Sequence, residues 1–175
     1  SLRLSLLASV GIGLNEMSIP AFATEAGMPG YVGAFYAAMS VPSALAGLYY
    51  GTRRWGWALN HQIQLSVAWL AVGSVAMALT TSPLAFAAAA CFTGMAFGPM
   101  ITALSLQLGA LSPREYVTEA FTWSMTVFMV GLVAGFWLGG LLVQMHGFSA
   151  TLWGAAVFMG LAALWCLQVP QVREH

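Results

Sequence analysis

The sequence predicts an all-α integral membrane protein, a single bundle of six transmembrane helices. Three observations lead there. Hydrophobic residues make up 60% of the chain and charged residues only 6%, against about 25% charged in an ordinary soluble domain. A soluble surface so poor in charge would expose large apolar patches and aggregate, whereas lipid is itself an apolar solvent. Six apolar segments approach or exceed the roughly 20 residues a spanning helix needs. The arginines then fall at alternate ends of those segments, as a six-span topology requires.

The first segment runs from Leu4 to Thr24 and the second from Tyr31 to Tyr50. The third covers Leu59 to Leu79, the fourth Leu84 to Leu108, the fifth Val117 to Val143 and the sixth Ala150 to Leu167. Glycine, proline, serine and charged residues fill the short connections between them, as turns and helix caps require. Ser112, followed by Pro113, Arg114 and Glu115, reads as a helix start, with proline in the first turn and an acid near the positive dipole end. The first segment lacks the basic region, short core and cleavage signature of a signal peptide, so it reads as a span. The chain opens on Ser1 rather than methionine, which favours its being part of a longer protein, with processing of the start as the other reading.

Arg3 precedes the first segment, Arg53 and Arg54 follow the second, Arg114 follows the fourth and Arg173 follows the sixth. With six spans all of these lie on one side. The opposite side carries Glu25 and His146 but no Arg or Lys. The positive-inside rule makes the arginine side, and both chain ends, cytoplasmic. Trp55, Trp57 and Tyr116 beside those loops fit an interfacial aromatic belt. A formal net charge of 0 gives no bulk field for nucleic acid.

The bundle divides into two three-helix repeats, residues 3–80 and 84–168 of a single 1–175 unit. The leading helix of each carries a candidate break: Asn15-Glu16 and Pro20 in the first, Gly94, Gly98 and Pro99 in the fourth. Proline removes a backbone hydrogen bond and kinks a helix. Broken helices at matching places in two inverted repeats point to a transport pathway, although proline is also common in membrane helices without that role. In the fifth helix Gly131, Gly135 and Gly139 recur every fourth residue, a spacing that lets helices approach closely.

Glu16 lies 13 positions beyond Arg3, about 20 Å along a helix and so inside the hydrocarbon. A carboxylate there must face the bundle interior or water. Two readings stand. Glu16 is a proton-coupling or substrate-binding acid, since a carboxyl alternating between protonated and charged forms is what a proton-coupled carrier needs. Otherwise it is a protonated acid bonded to Asn15, Ser18 or a neighbouring helix. Asn15 is a substrate ligand or a structural hydrogen-bond partner, and Trp123 either stacks on a ligand ring or packs. His61, Gln62 and Gln64 read as cap or headgroup contacts near the interface. Gln107 points into a cavity or meets the interface. Thr122, Ser124 and Thr126 bond their own backbone or line a pore. Arg114 and Glu119, five apart, are poorly spaced to pair along one helix, so with Arg53 and Arg54 they are candidates for a cytoplasmic gate. Cys91 and Cys166 read as small hydrophobes. No nucleotide-binding loop, zinc-protease or serine-hydrolase motif and no metal cluster appears. An enzyme, a cofactor and a metal site are therefore not expected.

Three stretches carry a family resemblance. They are Gly47-Leu-Tyr-Tyr-Gly51-Thr-Arg-Arg-Trp-Gly56, then Phe97-Gly-Pro-Met100 with the loop to Ala120, and Gly131 to Phe148 with its glycine ladder. In order and placement they resemble the C-terminal six-helix half of a major facilitator superfamily (MFS) transporter. Gly51-Thr52 stand where the family usually has an acid, and the acid often found near Gln144 is missing. The resemblance covers nearly the whole chain. It implies a 3+3 inverted repeat and a pathway lined by the first and fourth helices, hence by Asn15, Glu16 and Gly98-Pro99. It further implies a bacterial inner-membrane location and a second six-helix half, in the same polypeptide or another subunit. It implies secondary transport of a small-molecule substrate, and Glu119-Ala-Phe-Thr-Trp123 is similar to the efflux branches. The competing expectation is a structural or assembly subunit of a larger membrane complex, in which one face meets foreign helices and Glu16 binds nothing.

Overall fold

A computed structural model describes residues 2–53, 55–113 and 115–168. Among these the chain is all helix: α1 Leu2–Glu25, a 3-10 turn Pro29–Tyr31, α2 Val32–Thr52, α3 Leu59–Ala78, α4 Pro83–Leu111, α5 Val117–His146 and α6 Phe148–Gln168. Five of the six α-helices, some extended by a flanking turn, are long and apolar enough to cross a membrane, and the architecture is that of a multi-pass membrane protein. α3 has 20 residues, a spanning length, but opens on Asn60, His61, Gln62 and Gln64. Gln62 does not meet headgroups as expected. It is buried, accepts from the Tyr50 hydroxyl and donates to the Trp57 carbonyl. Asn60 accepts from the Gln107 amide. Asn60 and Gln62 are thus satisfied inside the bundle, as an apolar solvent demands, while His61 is exposed and Gln64 half-buried.

The helix boundaries follow local chemistry. Ser82 caps α4 by accepting from the Ala85 N–H at 3.3 Å, and Pro83 takes the first position, where its missing N–H is harmless. The predicted helix start at Ser112-Pro113 is corrected. Ser112 is extended and ends α4, and α5 starts at Val117 after a turn closed by Tyr116 N–H to the Pro113 carbonyl. A residue before proline is pushed out of the helical region, so Ser112 stops one helix instead of opening the next. Gly147, at φ +78°, makes the one-residue corner between α5 and α6, a conformation glycine tolerates without penalty. The expected breaks in α1 and α4 are corrected as well: both helices run unbroken through Pro20 and Pro99.

α1 is the most enclosed spanning helix and packs on α5 and α6. α2 packs on α4, while α3 lies against both α4 and α6. The α1–α2 and α4–α5 seams are sparse. Exchanging α1 with α4, α2 with α5 and α3 with α6 maps these main pairings onto one another, but only approximately, because α5 also touches α6 and α2 has no comparable contact with α3. Glycine makes the two tightest pairs. Ser9 and Gly13 of α1, one turn apart, meet Gly131 and Gly135 of α5, and Gly139 meets Met17. Gly94 and Gly98 of α4, also one turn apart, meet Met39 and Ser43 of α2. Without side chains at the crossing, backbones come into direct contact.

The two ends are closed differently. At one end Phe22, Phe35, Phe86 and Phe148 gather from α1, α2, α4 and α6, with Phe22 and Phe86 stacked at 3.9 Å. Glu25 adds a tie there, accepting from the Phe148 N–H at 2.8 Å at the positive end of α6. At the other end the buried Gln107–Asn60 pair joins α4 to α3.

Candidate membrane-embedded polar site

Pro20 sets up the site. It has no N–H, so the carbonyl four residues earlier, that of Glu16, loses its helical partner. The Tyr36 hydroxyl of α2 donates to that carbonyl at 3.1 Å. This bond bridges the otherwise sparse α1–α2 seam and keeps α1 helical at the proline. The Glu16 side chain is half-buried beside it, and its carboxyl makes no hydrogen bond among the described residues.

Asn15 points the other way, into the bundle, and is 1% exposed. Its amide donates to Ser74 Oγ of α3 at 2.7 Å, and Ser74 donates to the Leu70 carbonyl at 2.9 Å. Asn15 Oδ1 has no partner. Ser18 returns its hydroxyl to the Asn15 backbone carbonyl at 2.6 Å. Neither residue bonds Glu16: the Asn15 amide and the Ser18 hydroxyl are spent elsewhere, and the expected Glu16–Asn15 or Glu16–Ser18 bond is corrected. A helix turns about 100° per residue, so neighbours in sequence face different surroundings.

The other candidate residues are dispersed. Gly98 sits in the α2–α4 contact against Gly47 and Ser43, with Pro99 next to it. Trp123 stands on the outside of α5, 61% exposed. Gly131, Gly135 and Gly139 all lie in the α1–α5 contact. Arg53 donates to the Tyr49 hydroxyl at 2.6 Å and lies over the Tyr49 and Trp55 rings. Glu119 is exposed in the first turn of α5, and it forms no ion pair with Arg53 among the described residues. Arg54 and Arg114 lie outside the described residues, as does Arg173. Thr122 and Thr126 bond backbone carbonyls one turn back.

Two residues of this site escaped the sequence reading. Tyr36 is marked only indirectly: a proline frees a carbonyl, and a hydroxyl on the next helix is a natural donor to it. Ser74 is a lone serine in an apolar stretch of α3, a pattern that usually signals only backbone bonding. Chemically the site offers one half-buried carboxyl at an interhelical seam and one buried amide with a free acceptor. No protein-family model matches the chain, and no curated protein matches it.

Proposed function

We propose that the chain is one half of an MFS-like secondary carrier, with Glu16 as the proton-coupling acid in the efflux of a small solute. The near-symmetric packing of the main helix pairs supports this reading. Two three-helix repeats of inverted topology, residues 3–80 and 84–168, would produce that pairing set, with matching glycine contacts in α1–α5 and α4–α2. Carriers built this way place their site between repeats, near the membrane middle. Glu16 fits such a site because it is half-buried, unpaired and next to the α1–α2 seam. The arginine distribution supports an orientation with both ends cytoplasmic, and the family resemblance suggests a bacterial inner membrane. A second six-helix half completes the cavity, and Trp123, exposed on α5, is available to it. The reading assigns the chain no enzymatic step, cofactor or metal.

The test uses the native polypeptide containing this chain, purified with its partners. Intact mass identifies the second half. Proteoliposomes under an imposed pH gradient then compare wild type with Glu16→Gln. The expected outcome is loss of gradient-driven accumulation at unchanged expression and melting temperature. Full coupling in Glu16→Gln would remove Glu16 from the mechanism. A mass spectrum showing a large foreign assembly, with no transport, would instead favour a structural subunit.

A further inference from the structure

A cavity of about 510 Å³ opens between the C-terminal half of α4 and the N-terminal half of α5, with Ser5 of α1 at its wall. It lies at the end of the bundle opposite the four phenylalanines. Its volume is that of a drug-sized ligand site. Leu104, Leu108, Phe121, Met125 and Phe128 form apolar walls. The polar lining consists of hydroxyls and one amide: Ser5, Ser105, Ser112, Ser124 and Gln107. Ser105 is spent on the Ile101 carbonyl and the Gln107 amide on Asn60. Ser5, Ser112 and Ser124 have no side-chain hydrogen bond among the described residues. Ser5 stands out because it is only 7% exposed. Its hydroxyl, like those of Ser112 and Ser124, is free to bond a guest in the cavity.

None of the described lining residues is ionisable. A charged guest would lose hydration against leucine, methionine and phenylalanine with no counter-charge among the described lining residues. We propose that this cavity binds a neutral amphiphile whose apolar body lies among Leu108, Met125 and Phe128 and whose hydroxyl or carbonyl bonds the free serines. Thioether side chains adapt their shape to the guest, so the site accepts a class of compounds rather than one. Binding is read without flux, so this inference stands or falls separately from the transport reading.

The probe is an eight-carbon alcohol bearing a diazirine, photolysed on the native polypeptide in detergent and located by peptide mass spectrometry. Adducts should concentrate on residues 101–112 and 121–129, and 2-naphthol should displace them at saturating concentration. Ser124→Trp, which fills the cavity, should abolish the displaceable fraction. Leu45→Trp, adding the same bulk on the exposed face of α2, should leave it intact. Ser124→Ala keeps the space but removes one hydroxyl, and should weaken competition by roughly two- to tenfold. Labelling spread over all exposed helices and not displaced by 2-naphthol overturns the proposal, since bilayer lipid would then fill the cavity. Equal labelling by a trimethylammonium diazirine of the same length overturns the neutral class.

Discussion

Replacing Gly94 with alanine is the most direct perturbation of the α2–α4 contact. A Cβ built there overlaps the Met39 carbonyl oxygen and lies 2.9 Å from the carbonyl carbon and 3.1 Å from Cα. All three are backbone atoms, so no side chain can rotate away and α2 has to move as a body. Overpacking of this kind costs about 1–3 kcal/mol. Gly109 on the same helix is the control, because a Cβ there meets nothing within 4 Å. Alanine gains about 1 kcal/mol of helix propensity over glycine at either position, and that gain cancels in the comparison. Each kcal/mol moves the melting temperature by roughly 2–4 °C in a chain of this size. Gly94→Ala should therefore melt about 2–12 °C below Gly109→Ala. Thermal unfolding in detergent, followed through the seven tryptophans, measures the difference. Equal melting temperatures would refute the claim that glycine sets this helix approach.

Two further substitutions address the polar site. Tyr36→Phe removes the donor to the Glu16 carbonyl and should destabilise by about 1 kcal/mol. In a Pro20→Ala background the carbonyl regains a helical N–H, so the same change should cost almost nothing. A double-mutant cycle of melting temperatures with no coupling would contradict the bond's assigned role. Ser74→Ala leaves both ends of the buried Asn15 amide unpaired and should cost about 1–3 kcal/mol. Asn15→Leu removes the orphaned acceptor along with the amide and leaves Ser74 bonded to Leu70. It should be the milder variant in the same unfolding assay, and the reverse ranking would show that Asn15 Oδ1 has a partner of its own.

Helix number and type were legible because apolar run length decides them in a chain with so few charges. The corners were less so. Ser112-Pro113 carries the same residues whether it closes one helix or opens the next, and only the backbone restriction before proline separates the two. Neither Pro20 nor Pro99 interrupts its helix, and at Pro20 the reason is tertiary. Proline costs a helix one bond, and at Pro20 a tyrosine from another helix satisfies the acceptor left over. Depth along the helix identified Glu16 and Asn15 as embedded, but direction around the helix requires the neighbours. For that reason the pairing of Asn15 with Ser74, rather than with Glu16, was not readable. The glycine ladder of α5 announced a close contact without naming α1 as its partner. Gly98, next to Pro99, suggests a break by sequence, yet it makes the equivalent contact in α4.

The packing divides the bundle into stiff and compliant parts. Glycine contacts hold α1 on α5 and α2 on α4 backbone to backbone, and a displacement there meets hard repulsion at once. α3 and α6 bridge the two pairs through buried side chains, Ser74 touching Met159 between them. The sparsest contacts are the α1–α2 seam, crossed by the Tyr36–Glu16 bond, and the α4–α5 seam, where the cavity lies. These seams exchange with each other under the same operation that exchanges the stiff pairs. Their chemistry differs: one carries a carboxyl beside a proline-freed carbonyl, the other hydroxyls and an amide against apolar walls. Both seams lie between the same two stiff pairs, so a relative movement of those pairs is resisted least there.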